Sequence, residues 1–427
     1  MSEIKAGASR RDFMMASGLA FGAALTGFAK VSGAAPNSET LRVGLIGCGG
    51  RGTGAVREAL LADPNTRLVA LGDAFADMAA DALAKLTKEG SGVEDRVAVD
   101  PDHLFSGFDN YKGVVDACDV VVLAASPAFR PEHLRYAVES GKHVFCEKPI
   151  AVCPTGVRHV RESCAIAKQK GLSLVSGLCY RYENAKRETM KQIHDGALGE
   201  IIAIETVYNT GGLWLKDRKP EWSEMEYQIR NWLYFNWLSG DHINEQHIHS
   251  LDKVAWAMGD VYPAKATSSG GRVQRTGAEY GNIYDHFNTT YEWKSGVKAF
   301  SSCRQWNGAS TYVNDSIMGT KGTALLQDHR IEFRDGERWR HKKEAVDNMY
   351  QNEHNELFAS IRSGEPINNG QYMCDSTLMA IMGRMAAYTG KTVTWEEAMT
   401  SELNLMPAGP LAWGEVAVDS IAVPGEV

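Results

Sequence analysis

The sequence predicts a two-domain α/β chain: a parallel sheet with flanking helices, then a second α/β domain with a large, open, mostly antiparallel sheet. Three observations predict it. Between residues 41 and 176 short apolar runs alternate with helical stretches, the rhythm of parallel strands joined by helical crossovers. Beyond residue 262 polar and apolar residues alternate in runs broken by Gly277, Gly281, Ser295-Gly296 and Lys321-Gly322, the pattern of half-buried antiparallel strands. The chain's 427 residues also exceed what one ordinary core encloses.

Composition narrows the function. Hydrophobic residues make up 44% and charged residues 23%, an ordinary globular balance. A net charge of −8 argues against nucleic acid as the main partner. No apolar run reaches the roughly 20 residues that a membrane span requires. The eight cysteines form no Cys-x-x-Cys pair and no zinc-finger spacing, and read as mostly buried free thiols.

Residues 1–35 read as a leader rather than fold. Ser9-Arg10-Arg11-Asp12-Phe13-Met14-Met15 is a twin-arginine pattern, Ala16 to Ala29 is weakly apolar, and small residues allow cleavage after Ala34 or Ala35. The expectation is export of the folded protein to the periplasm, with no membrane span left after removal of the leader.

Residues 40–176 read as the first domain. Leu41 to Ile46 is a buried strand that runs into Gly47-Cys48-Gly49-Gly50-Arg51-Gly52, and a helix follows from Thr53. This is the G-x-G-x-x-G turn of a Rossmann domain. Gly47 allows the tight turn, Gly49 lets a pyrophosphate approach, Gly52 lets helix pack on strand, and the helix N-terminus attracts phosphate. A second strand, Arg67 to Gly72, ends at Asp73, 21 residues after Gly52. An acid there bonds the adenosine ribose hydroxyls and repels a 2′-phosphate, which favours NAD over NADP. Asp119 to Ala124 is the next strand and leads to the turn Ser126-Pro127. After a helix capped by Gly141 comes the strand Lys142 to Cys146, with Glu147-Lys148-Pro149 at its carboxyl end, the edge where open α/β sheets bind ligands. A lysine there, beside a nicotinamide, can polarise a hydroxyl or carbonyl oxygen.

The glycine turn, Ser126-Pro127 and the run Gly141 to Pro149 together resemble the Gfo/Idh/MocA family of NAD(P)-dependent oxidoreductases. The resemblance implies a Rossmann domain followed by an open-sheet α/β domain. It implies that Gly47, Gly49, Gly50, Arg51, Gly52, Asp73, Ser126, Pro127, Glu147 and Lys148 contact the cofactor. It implies that Lys148 also meets substrate, and that the Lys148–Pro149 bond is commonly cis. Tyr182 falls in a segment, Tyr180-Arg181-Tyr182, that faces substrate in such proteins. The family's open sheet face also implies a homo-oligomer, dimer or tetramer.

Residues 177–402 read as the second domain, and 403–427 as an extended tail placed to wrap a neighbour. Residues 211–238 read as loop-like and hold four of the ten tryptophans within 24 residues. Their flat faces, with Arg230 and Trp237 among them, suit sugar rings, and they equally suit packing or a subunit interface.

The stretch Ser239 to Asp252 holds three of the twelve histidines and three carboxylates within fourteen residues. Read as one helix, it sets Glu245 and His249 one turn apart with His242 and Asp252 on the same stripe. Metal binding, acid/base chemistry and solvation all use these residue types. Neither H-E-x-x-H nor H-x-x-E-H occurs, so no metal is expected. The resemblance aligns His249, Asp252, Trp256 and Gly259 with the family frame, places Glu245 on its usual aspartate, and makes His247 an addition. His249 or His247 is then the base, Lys148 stabilises the oxygen, and Asp241, His242 and Tyr182 hold other hydroxyls. The expected activity is hydride exchange between tightly bound NAD and a sugar or glycoside. The alternatives are an NAD-dependent glycosidase working by transient oxidation, and an exported sugar-binding protein without turnover.

Overall fold

The computed structural model describes residues 39–342 and 346–426, so the twin-arginine pattern lies outside the described residues. The first sheet has six strands: β1 (Leu41–Ile46), β2 (Thr66–Asp73), β3 (Leu104–Ser106), β4 (Val120–Leu123), β5 (His143–Cys146) and β6 (Leu174–Ser176). Their order is β3-β2-β1-β4-β5-β6, and every pair is parallel. The strands are almost continuously buried, as a sheet covered on both faces requires. The direction of strand progression reverses between β1 and β4, which opens a crevice at their carboxyl ends. The helix Gly50–Ala62 starts there and buries Gly52, Ala55, Val56, Ala59 and Leu60, one stripe at helical spacing.

The second sheet has nine strands: β7 (Ile201–Thr210), β8 (Lys265–Gly271), β9 (His286–Glu292), β10 (Lys298–Gln305), β11 (Tyr312–Gly319), β12 (Gly322–Leu325), β13 (Arg330–Phe333), β14 (Arg338–Arg340) and β15 (Val393–Thr394). In the order β14-β13-β12-β11-β7-β10-β9-β8-β15, only β7 and β10 pair in parallel. Alternation is clear on β10, where Ala299, Ser301, Cys303 and Gln305 point inward and Phe300 points out. The core strands β8 to β12 lie where alternation places them, within three residues at either end. The short edge strands β13, β14 and β15 carry too few residues for a period to show.

Two expected elements differ. Residues 211–238 are not simply loop: Glu224–Arg230 is a helix whose N-cap Ser223 accepts from the Glu226 N–H. The stretch 239–252 is not one helix. A short turn of helix, Asn236–Ser239, ends at left-handed Gly240 (φ 73°), and Asp241 follows at φ 68°. A second short helix, His242–Glu245, precedes the longer Ile248–Ala257. The break is fixed by the buried Asp241 carboxylate. It accepts from the His242 N–H, from the Tyr284 N–H at 2.7 Å and from the Tyr388 hydroxyl at 2.7 Å. These bonds hold a non-glycine residue in a sparsely populated backbone region.

The helix Met349–Ser363 returns to the first domain. Leu357, Phe358 and Ile361 join the core around Leu45, Val56 and Phe145. The tail from residue 403 runs along its own chain rather than standing free: the Leu403 carbonyl accepts from the Thr155 hydroxyl, and the Ala422 carbonyl from that of Tyr284. All eight cysteines are buried free thiols. Among the described residues no helix is long and apolar enough to cross a membrane.

Candidate active site

The crevice at the β1–β4 switch is a cleft of about 430 Å³. Gly47, Gly49, Gly50, Arg51, Gly52, Asp73 and Ser126 all line it. Gly47 has φ 92°, and a Cβ there would meet the Ala125 nitrogen at 2.2 Å; one at Gly52 would meet the Gly47 carbonyl at 1.9 Å. Gly49 and Gly50 instead have nothing within 4 Å of an added Cβ, so the loop presents bare backbone to open space. Asp73 accepts from the N–H groups of Cys48 at 2.7 Å and Phe75 at 3.0 Å, which fixes its carboxylate at the cleft. Burial raises its pKa, opposed by those two bonds. Asn110 Oδ1, Ser126 Oγ and His133 Nδ1 are buried lining atoms without partners. A bare glycine cradle, a fixed acid and unmet polar atoms fit a dinucleotide.

Next to the cleft lies a charged cluster. Lys148 precedes a cis Lys148–Pro149 bond. Its ammonium donates to the Glu245 carboxylate at 3.0 Å and to the Glu245 backbone carbonyl at 2.6 Å. The Lys148 N–H donates to Glu147, whose other oxygen accepts from Arg51. Arg51 also pairs with Glu58 at 3.0 Å and Glu353 at 3.1 Å. Burial opposes the charge of Arg51, but Glu147, Glu353 and Glu58 outweigh it and raise its pKa. Burial and then Glu147 push the fully buried Glu353 well above the carboxylate range.

His249 is half-buried, at the start of the helix Ile248–Ala257. Its ring meets Tyr180 edge-on at 5.3 Å, and neither ring nitrogen has a hydrogen-bond partner among the described residues. Burial first, then the charges of Lys148, Lys253 and Arg51, push its pKa well below the ordinary value, so the ring is neutral near pH 7. Here is an ammonium anchored by a carboxylate, beside a neutral imidazole whose acceptor nitrogen is unpartnered.

Other expected site residues lie elsewhere. His247 is fully buried, bonds Ser301 Oγ at 2.7 Å, and burial lowers its pKa to about 3. His242 is buried against Asp241, Nδ1 to Oδ1 at 2.9 Å, and both serve the helix break rather than an open surface. Tyr182 is buried in the first domain's core, its hydroxyl donating to Asn369. Trp237 is buried and donates to Gln228 at 2.6 Å. Arg230 lines the same cleft as the glycine loop, paired with Asp77 at 3.1 Å and Glu226 at 2.8 Å. For His247 and Tyr182 the contacts that bury them, with Ser301 and Asn369, lie far along the chain.

Of the segment Tyr180-Arg181-Tyr182 it is Tyr180 that reaches the site, with residues that no sequence motif marks. Tyr180 and Tyr350 line a polar cavity of about 330 Å³ with Glu183, Lys186, Gln327 and His329. Tyr180 joins that cavity to His249, and Tyr350 joins it to Arg51, whose guanidinium lies 4.6 Å from its ring. Lys253 pairs with Asp315, both fully buried, and sits 4.5 Å from the Tyr180 ring. A lysine among the apolar Leu251, Val254, Ala255 and Trp256 was the available signal.

With this geometry in view, the comparison with known proteins is direct. Residues 41–178 match the Gfo/Idh/MocA oxidoreductase family, NAD-binding Rossmann fold. Among curated proteins, a 2,7-anhydro-N-acetylneuraminate hydratase of Escherichia coli K12 is 28% identical over 258 residues, 58% of this chain and 64% of that protein. The match therefore spans less than two thirds of that relative's length. A D-glucoside 3-dehydrogenase of the same organism is 24% identical over 292 residues, 68% of this chain and 70% of that one. A solved levoglucosan dehydrogenase in complex with NADH and levoglucosan superposes with a TM-score of 0.64 and 18% identity, covering 83% of this chain and 99% of that chain. At that identity the likeness is one of fold: the parallel sheet followed by the open, mostly antiparallel one.

Proposed function

We propose that the protein is an NAD-dependent oxidoreductase that interconverts a sugar or glycoside hydroxyl and the corresponding ketone. The observation that carries this reading is the pairing of Lys148, held by Glu245, with the neutral His249 beside the dinucleotide cleft. A nicotinamide dinucleotide seated on the glycine loop would supply the acceptor for the substrate's carbon-bound hydrogen and its electron pair. Asp73 favours NAD, since its carboxylate accepts from ribose hydroxyls and repels a 2′-phosphate. His249 takes the hydroxyl proton, for which its unpartnered acceptor nitrogen and neutral state suit it. The Lys148 ammonium donates to the same oxygen as negative charge develops, and Glu245 fixes the ammonium in place. The polar cavity bounded by Tyr180, Glu183, Lys186, Gln327 and Tyr350 takes the rest of the substrate. Relatives named as acting on glucosides and levoglucosan support this substrate class.

The leader pattern at Ser9 to Met15 supports export, and a protein working where free NAD is scarce would keep its cofactor bound. Ile202 and Phe300, each about half exposed on the neighbouring strands β7 and β10, support homo-oligomerisation through the sheet's outer face. The 28% identity to a hydratase, whose named activity adds water without net oxidation, favours one second reading: a glycosidase that oxidises its substrate transiently.

The test is to incubate purified protein with glucosides, galactosides, N-acetylhexosaminides and inositols, following nicotinamide absorbance and sugar products together. A keto-sugar with matching absorbance change supports the dehydrogenase. Released sugar without net absorbance change supports the glycosidase. Ligand binding without turnover supports a binding protein and overturns both.

A further inference from the structure

The dinucleotide cleft is not built by the Rossmann domain alone. Trp214, Lys216, Arg230 and Trp232 line it from the segment between β7 and the broken catalytic stretch. They face Asp73, Ala74 and Phe75, at the carboxyl end of β2. This is the adenosine side of a Rossmann cleft, where the acid after the second strand meets the ribose.

The segment is anchored there by buried side chains. Asn231, fully buried, accepts from the Lys216 N–H at 2.8 Å and donates to the Lys216 carbonyl at 3.0 Å. Tyr234, also buried, donates to the carbonyls of Leu213 at 3.1 Å and Trp214 at 3.0 Å. Two side chains thus fix the backbone of Leu213, Trp214 and Lys216 in an exposed loop. Arg230 is held between rings, its guanidinium 3.8 Å from Phe75 and 5.0 Å from Trp222, and its charge is already met by Asp77 and Glu226. Lys216 is different. Its ammonium lies 5.7 Å from the Trp214 ring and has no hydrogen bond or ion pair among the described residues. A backbone held at both polar groups presents an uncommitted cation at the cleft.

We infer that residues 211–232 form a lid over the adenosine half of the dinucleotide, and that Lys216 is its cofactor-binding residue at the ribose edge beside Asp73. This rests on the dinucleotide reading of the cleft. Trp214 and Trp232 supply the aromatic wall for the base, and Lys216 supplies the charge. The electrostatics give Lys216 a role in cofactor choice. A 2′-phosphate brings about two negative charges, which Asp73 repels and Lys216 attracts; an unmodified ribose brings none. Lys216 therefore tempers the preference for NAD that Asp73 imposes, while the lid slows release of either dinucleotide.

The test is dinucleotide binding, read apart from turnover. The parent protein, Lys216→Ala and Lys216→Arg are stripped of nucleotide and titrated with NADH and NADPH by fluorescence, and release is timed by dilution. Lys216→Ala should weaken NADPH binding about tenfold or more, as loss of a charge-assisted bond does, and NADH binding severalfold less. Lys216→Arg should restore most of the NADPH loss. Trp232→Ala should speed release of both dinucleotides. Unchanged affinities in Lys216→Ala, or equal losses for both dinucleotides, overturn the assignment. A parent protein that binds neither dinucleotide overturns it together with the proposed activity. One that binds them through Lys216 but turns over no sugar overturns the activity alone.

Discussion

The Lys148 ammonium is bonded twice to one residue, to the Glu245 carboxylate at 3.0 Å and to the Glu245 backbone carbonyl at 2.6 Å. One bond depends on the side chain and one does not, so the two residues are separable by mutation. Lys148→Met should lower turnover by about 10² to 10⁴, the usual cost of removing an electrostatic stabiliser at the reacting oxygen. Glu245→Gln keeps the carbonyl bond and should lower turnover only about tenfold. Thermal midpoints measured alongside kcat should stay near the parent's in both variants.

His249 titrates far below an ordinary histidine because it is buried among the charges of Lys148, Lys253 and Arg51. A base that stays neutral in mild acid keeps working there. The acid limb of the kcat/KM profile should therefore fall below pH 6.5 rather than at it. His249→Asn should remove activity by about 100-fold or more at every pH while leaving dinucleotide binding intact. An acid limb at or above pH 6.5 would exclude His249 as the base.

Gly49 offers a way to remove the cofactor without disturbing the fold. Its backbone is extended, φ −70° and ψ −177°, and an added Cβ meets nothing within 4 Å. Gly49→Val should fold with parental stability, yet carry no dinucleotide, because its methyl groups occupy the pyrophosphate's approach. Nucleotide absorbance of the purified variant, with its urea midpoint, checks both halves.

The pair Lys253–Asp315 is fully buried at both ends, and Thr206 donates to the same carboxylate. Removing one charge leaves the other in apolar surroundings. Lys253→Met should cost about 3–5 kcal/mol in urea unfolding, and the double variant Lys253→Met with Asp315→Leu should recover much of it.

His247 sets part of the acid stability. Burial lowers its folded pKa to about 3, against about 6.5 in an unfolded chain. Between those values the unfolded state binds the proton more tightly. Its contribution is thus present above pH 6.5 and lost as pH falls towards 3, at about 1.4 kcal/mol per pH unit. His247→Gln should give a shallower fall of urea midpoint between pH 7 and 5 than the parent.

What the sequence made legible follows the range of the forces involved. The parallel strands, the glycine loop, Asp73 and Lys148 are visible because each depends on neighbours a few residues away. The family resemblance set the histidine beside Lys148 and Glu245 on the usual aspartate; the structure brings Glu245, 97 positions away, into contact with Lys148 itself. The break at Gly240-Asp241 had a local signal, a glycine followed by an acid able to cap the next turn, but the histidine spacing suggested one continuous helix. The fates of Tyr182, Trp237 and His242 carried no such signal. Tyr182 is buried by Asn369 and the helix Met349–Ser363, and Asp241 by Tyr284 and Tyr388, all far along the chain. Arg230 was read as bonding sugar hydroxyls from the aromatic segment; that it stands opposite Asp73 is visible only in the tertiary fold.

Arg51 stands in the glycine loop, yet one of its three carboxylate partners, Glu353, lies 302 residues later. A nascent chain emerges from the ribosome N-terminus first, and its first sheet can form while the rest is still being made. Until the helix Met349–Ser363 has been synthesised and docked, Arg51 of the loop that is to cradle a pyrophosphate lacks one of its anchors. Loading of the nucleotide then belongs to the last stage of biogenesis, and a chain stopped before residue 349 should have the Rossmann strands but bind its nucleotide poorly.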